Sequence, residues 1–371
     1  MTDGAAAGRA RAMVLEAPRH LAERDLELPD VGDDDGLLRI EACGLCGTDH
    51  EQYTGLLWGG VPFIPGHESV GVLERIGSRA AERWGVREGD RVAVAPYLSC
   101  RECGACNAGD YHRCRRHGLK GMYGFRNVDD PPGLWGGYAD HQFLAADSLL
   151  FAIPAELDPV EATLFNPLGA GIRWAATLPG TKPGDVVAVL GPGIRGLCAC
   201  ASAKEAGAEL VMVTGFGERD AGRLALAAEF GADLTVDVSV DDPIAALRAA
   251  GARGADIVVD VTAKAPSAFR QAIDLARPGG TIVLAGVRGE AVDGVNADLI
   301  VFKELRIMGA LGVDASAYRS AIEMLRTPRY PFERLPRRVA GFDDIADLVE
   351  TMAGERGEPP VHGVFVPGGP R

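Results

Sequence analysis

From about Arg11 to Asn166 the chain reads as short apolar runs broken by Gly, Pro and Asp. Ala12–Leu15, Gly36–Glu41, Val70–Ile76 and Arg91–Ala95 suit strands and are too short for helices. Gly89-Asp90 ahead of Arg91 is a turn that leads into a strand. Near Pro167 the pattern changes. Six apolar runs follow: Asp185–Leu190, Glu209–Thr214, Leu234–Val238, Asp256–Val261, Gly280–Gly286 and Leu305–Ala310. The stretches between them have helical character, most clearly Ile194–Ala206 and Arg219–Phe230. Strands alternating with helices predict an α/β fold with a doubly wound parallel sheet. After about Gly312 the pattern is mixed again, and the last apolar run, Val361–Val366, meets a sheet already complete at six strands. The expected division is therefore 11–166 with 312–371 as one domain and 167–311 as the other. The small, polar segment 1–10 reads as a disordered tail.

Length agrees with two domains, since 371 residues exceed one ordinary core. A net charge of −14, spread along the chain, leaves no basic face for nucleic acid. No apolar run reaches the ~20 residues that span a membrane. Met1–Ala10 lacks the apolar centre of a secretion signal, so a cytoplasmic location is expected. In that reducing setting the eight cysteines are not a disulfide framework, and those that cluster read as metal ligands.

Asp185–Leu190 runs straight into Gly191-Pro-Gly193-Ile194-Arg195-Gly196 and then a helix, the G-x-G-x-x-G spacing of a dinucleotide loop. Gly191 allows the tight turn, Gly193 lets backbone approach a pyrophosphate, and Gly196 lets the helix pack on the strand. The free N–H groups of the helix start complete the phosphate site. At the end of the second strand, where an NAD site carries an acid, stand Thr214 and Gly215; Arg219 and Arg223 follow closely enough to meet a 2′-phosphate. NADP is the expected cofactor and NAD the alternative, because Glu218 or Asp220 can fold back toward the ribose.

Cys100, Cys103, Cys106 and Cys114 form a C-x2-C-x2-C-x7-C set, within a lobe of about 97–117. Four thiolates at this spacing close a tetrahedral zinc site with no open position, a structural rather than catalytic arrangement. An iron–sulfur cluster is the competing reading. Arg101, Arg113, Arg115 and Arg116 offset the thiolate charge.

Gly44-Leu45-Cys46-Gly47-Thr48-Asp49, Gly66-His67-Glu68, the four-cysteine lobe and Gly191–Gly196 occur in one order. The order resembles that of the zinc-containing medium-chain alcohol dehydrogenases, from about Arg11 to the C-terminus. The resemblance implies a GroES-like, β-rich catalytic domain and a Rossmann domain with the active site between them. It implies a catalytic zinc with Cys46 and His67 as ligands and Glu68 beside it, a proton relay starting at Thr48, and Asp49 as an outer partner. A bound zinc with an open position stabilises an alkoxide at neutral pH. A homodimer or homotetramer and a small alcohol or carbonyl substrate are implied as well. Trp58, Tyr123, Phe125 and Trp135 are candidates for a pocket lining, with core packing the alternative. Cys43, Cys198 and Cys200 read as packing residues.

Three positions depart from that pattern. Asn166 stands where relatives place a third, acidic or thiolate, zinc ligand, so either its carbonyl oxygen or Glu68 must complete the set. The relay histidine falls one residue early, at His50, with Glu51 in its usual place. Arg195 replaces an apolar residue beside the third glycine and needs a partner: Glu68, a phosphate, an anionic substrate or solvent. Two rivals follow: a zinc-free enone or quinone reductase on the same fold, and a non-catalytic cofactor-binding relative. Two zinc ions per chain support the dehydrogenase, and one supports either rival.

Overall fold

The computed structural model describes residues 8–263 and 265–370, so the expected tail lies outside them except for its last three residues. Of these, Arg9 and Ala10 already belong to the strand Arg9–Ala17. That strand pairs with His20–Glu27 as a hairpin, and Ala10, Ala12 and Val14 are fully buried, so the segment is held by packing its alternate side chains.

The chain divides into two compact units: everything up to Asn166 together with Phe332 onward, and Pro167–Pro331. In the first, a seven-stranded sheet runs in the order Arg337–Ala340, His362–Phe365, Gly36–Leu45, Ser69–Ile76, Arg91–Val94, Leu150–Ala152, with His141–Leu144 added on Gly36–Leu45. The central strand, Gly36–Leu45, bulges against Ser69–Ile76. Gly71 sits at that bulge, where a Cβ would lie 2.2 Å from the Arg39 carbonyl oxygen. The core behind the sheet holds Leu15, Leu37, Leu38, Phe63, Tyr138 and Phe365.

The second unit is a six-stranded parallel sheet: Leu234–Asp237, Leu210–Gly215, Val186–Leu190, Ala255–Asp260, Ala276–Leu284, Arg306–Gly309. Counted along the chain this is the order 3-2-1-4-5-6, the doubly wound arrangement with its switch point between the first and fourth strands. Val187–Leu190, Val211–Val213, Val258 and Val259 are fully buried, as a sheet covered on both faces requires. The fifth strand starts earlier than its apolar run suggests, at Ala276.

The expected return at about 312 falls later, at Phe332. The helix Ala315–Leu325 buries Ala317, Tyr318, Ala321, Ile322 and Leu325 along one face. Gly169 makes room for it, since a Cβ there would sit 3.0 Å from the Tyr318 ring and from Val313. An amphipathic stripe names the buried face but not its partner. Among the described residues no helix is long and apolar enough to cross a membrane.

Candidate metal and dinucleotide sites

The central strand delivers Cys46 to the N-terminus of the helix Gly47–Tyr53. Asp49, 3% exposed, accepts the Cys46 N–H on Oδ2 at 2.8 Å, and its own N–H bonds the Cys46 carbonyl at 3.2 Å. This reciprocal cap fixes the turn that carries the thiol. His67 and Glu68 precede the strand Ser69–Ile76, whose Ser69 pairs with Cys43. Gly66 before them has φ +86°, and a Cβ there would strike the Tyr138 ring at 2.6 Å.

Strand pairing thus brings Cys46 Sγ to 3.4 Å from His67 Nε2. Ligand atoms of Cys46, His67 and Glu68, all buried, lie within 4.8 Å of one another. Zinc bond lengths and tetrahedral angles place S and N ligands roughly 3.5 Å apart, so these donors fit a zinc with one position open. The Glu68 carboxylate occupies space that Gly44 leaves, since a Cβ on Gly44 would lie 2.5 Å from Oε2.

Asn166, one of the two candidates for the third ligand, donates from Nδ2 to the other, Glu68 Oε1, at 2.6 Å. A carboxylate only accepts, so the nitrogen is the atom that faces it. Glu68 lies with Cys46 and His67, and Asn166 bonds it. Thr48 is half-buried, two residues from Cys46. His50 is buried, and its Nε2 lies 2.8 Å from Glu355 Oε1. Glu355 also takes both Nη atoms of Arg19 at 2.8 and 2.9 Å. Arg19 and then His50 hold the Glu355 carboxyl down to about 2.

Cys43 is fully buried, and burial pushes its thiol far up, as for a packing residue. Of the aromatics, Tyr123 and Trp135 are core, 1% and 3% exposed. Phe125 is half-buried, stacked on Phe63 with its centroid 6.2 Å from the His67 ring.

The second cluster is the lobe. The sulfurs of Cys100, Cys103, Cys106 and Cys114 lie within 4.8 Å of one another, and Cys100 and Cys106 are 3.8 Å apart. A ZnS4 tetrahedron has an S···S edge of about 3.8 Å. Backbone N–H groups of Arg115 and Cys106 hold the Cys103 thiol down, whereas burial raises that of Cys106. The arginines do more than offset thiolate charge. Arg116 bonds Glu102 and Asp147, and Arg101 bonds the carbonyls of Ala146 and Ser148. They fasten the lobe's rim.

In the second unit the strand Val186–Leu190 ends at Gly191, whose φ is +100°, and the helix Ile194–Glu205 follows. A Cβ on Gly196 would lie 1.8 Å from the Gly191 carbonyl oxygen, so only glycine fits. On Gly193 a Cβ would meet nothing within 4 Å, which leaves that side open to a phosphate. Ile194 and Arg195 are half-buried, and the Arg195 guanidinium lies over the Trp174 ring at 5.2 Å. An indole face is a partner for a cation. Thr214, 3% exposed, ends the second strand. Asp220 turns inward and accepts the Phe216 N–H at 2.9 Å, while the Arg219 side chain is 78% exposed.

The alcohol dehydrogenase GroES-like domain matches residues 32–155, and the zinc-binding dehydrogenase domain matches 196–327. A "probable alcohol dehydrogenase" of Mycobacterium tuberculosis is 63% identical over 99% of this chain and all of its own length. The sorbitol dehydrogenase of Bacillus subtilis is 31% identical over 85% of each chain. A structure from Sinorhizobium meliloti assigned as a zinc-binding dehydrogenase and bound to NADP superposes with a TM-score of 0.82, at 30% identity, over 97% of this chain and 100% of that one. The chain belongs to the zinc-containing medium-chain dehydrogenase/reductase family, as an NAD(P)-dependent zinc oxidoreductase of the alcohol dehydrogenase kind.

Proposed function

We propose that Cys46, His67 and Glu68 hold the catalytic zinc of this dehydrogenase, that the four-cysteine lobe holds a structural one, and that the substrate is a small alcohol or polyol. The observation that carries the reading is the buried sulfur–nitrogen–carboxylate set, with Sγ and Nε2 3.4 Å apart. When bound, zinc lowers the pKa of a substrate hydroxyl and the nicotinamide takes up a hydride. Thr48, two residues after Cys46, is assigned to receive the hydroxyl proton. Asp49 holds the Cys46 turn through the Cys46 N–H. Asn166 orients Glu68 and offsets none of its charge, so a Cys−/His/Glu− set stays neutral around a divalent ion. His50 is committed to Glu355, so we assign it to anchoring the Cys46 helix rather than to the relay.

The cofactor reading favours NADP. No acid ends the second strand, Asp220 is used internally, and Arg219 is exposed beside it. The related structure from Sinorhizobium meliloti holds NADP. A homo-oligomer is supported by the edge strand Arg306–Gly309 and the apolar residues around it: Phe302 is 79% exposed, Val301 70% and Leu311 47%. An uncovered edge with such a patch invites pairing with a second copy.

Metal analysis with a spectrophotometric assay of NADP- and NAD-linked alcohol oxidation tests the reading. About two zinc ions per chain are expected in the wild type and about one in Cys46→Ala. That variant should lose at least about a thousandfold in kcat/KM. One zinc in both proteins, with activity unchanged, would sink the assignment.

A further inference from the structure

At the switch point of the parallel sheet lies a buried ion pair that the reading so far does not use. Asp260 ends the fourth strand with its side chain 0% exposed, and Arg288 beside it is 9% exposed. One Asp260 oxygen takes the Arg288 guanidinium. The other takes the Thr262 N–H at 3.0 Å and the Thr262 hydroxyl at 2.6 Å. The Asp260 backbone carbonyl accepts from Ala285 at 2.9 Å and from Gly286 at 3.1 Å, and Arg288 Nη1 donates to the Gly286 carbonyl at 3.2 Å.

These bonds join two loops, and a third packs against them. Thr262 follows the fourth strand, and Gly286 and Arg288 follow the fifth. Gly191, after the first strand, lies against Thr262, since a Cβ on it would be 3.1 Å from Thr262 Cγ2. Gly286 packs so closely that a Cβ there would be 1.8 Å from the Thr262 carbonyl oxygen. All three loops leave the carboxyl ends of their strands, the side on which a doubly wound sheet binds its ligand.

Stability alone is a poor reason for the pair. A buried ion pair often contributes no more than apolar residues of the same size. Here one donor is also unused, because among the described residues the buried Arg288 Nε meets no acceptor. A doubly wound sheet binds a dinucleotide across two mononucleotide halves. The first three strands carry the glycine loop and Thr214–Arg219, the adenosine side. The half built on the fourth and fifth strands therefore receives the nicotinamide nucleotide.

We propose that Asp260 and Arg288 are positioning residues for the nicotinamide half of the cofactor, stapling the loops after the fourth and fifth strands together where the glycine loop packs on Thr262. The pair acts on the cofactor through those loops. The proposal rests on the dinucleotide reading above, and its test keeps the two apart.

The probes are NADPH and 2′-phospho-ADP-ribose, which lacks nicotinamide, titrated into the full-length protein. If the wild type binds neither probe, nor NADH, the dinucleotide reading fails. If it binds them, Arg288→Met should weaken NADPH about tenfold or more and leave 2′-phospho-ADP-ribose within about twofold. Arg288→Lys should recover part of the loss. Because Arg288→Met strands a buried carboxylate, Asp260→Asn/Arg288→Met serves as the variant that keeps the fold, and it should show the same selective loss. Equal loss of both probes, or no loss of either, overturns the proposal.

Discussion

The two cysteine-containing clusters of the first unit are built on opposite plans. The lobe takes all four sulfurs from the stretch Cys100–Cys114, closes them into one tetrahedron and ties its rim with Arg101 and Arg116. The cluster around Cys46 takes one donor from a helix N-terminus and two from the segment before another strand, then leans on Asn166 from further along. A closed set of four ligands leaves nothing for a substrate, so its metal can only hold chain together. A set of three protein donors would leave a position open, and here a fourth polar residue, Asn166, bonds one of the three. The lobe should therefore be read out in stability and the Cys46 cluster in turnover.

The largest expected effect breaks the lobe. Cys106→Ser removes one of the four thiolates of the set. Metal content should fall by about one ion per chain, and the lobe should open to protease, with a stability loss of several kcal/mol. Thermal denaturation, limited proteolysis and metal analysis read all three. Full stability with one zinc missing would mean that the lobe does not depend on its metal, and the contrast between the clusters would collapse.

A smaller effect is expected at Asn166, with the opposite signature. Asn166→Ala leaves Glu68 Oε1 without its donor. Loss of such an outer partner typically lowers activity or metal affinity about 10–100-fold. The melting temperature should move little by comparison. Asn166→Asp sharpens the case. With the amide nitrogen toward Glu68, a second carboxylate there repels the first, and zinc retention on dialysis should fall. A rise in retention would instead place residue 166 on the metal.

How much of this was legible beforehand follows from how local each signal is. The lobe and the glycine loop need only short spacing, and a Cβ fits on Gly193 but not on Gly196. The alternation of strand and helix was enough for the parallel sheet, because strands buried on both faces are apolar throughout. Asn166 was visible as an oddity but not as a partner of Glu68, since an amide reads the same whether its oxygen meets a metal or its nitrogen meets a carboxylate. Arg195 likewise carried no sign that Trp174 lies beneath it. Asp260 and Arg288 sit 28 residues apart, one at a strand end and one in a loop, and nothing in the spacing of an aspartate and an arginine announces a buried pair.

The smallest expected effect concerns how the Cys46 helix is held. Glu355 grips Arg19 on one side and His50 on the other, and the carboxyl is held down to about 2 against an ordinary 4.5. A carboxylate depressed in the folded state contributes stability that is complete above the unfolded value and is lost as pH falls through the folded one. The wild type should therefore exceed Glu355→Gln in stability above about pH 5.5, with the gap closing between about pH 4.5 and pH 2. The side chain is 34% exposed, so solvent screening limits the gap to about 1 kcal/mol or less. Denaturant titrations of both proteins across that range measure it. A gap that persists at pH 2 would mean that packing, not charge, holds the helix. In that case the support of the open site is as insensitive to protons as the rim of the lobe.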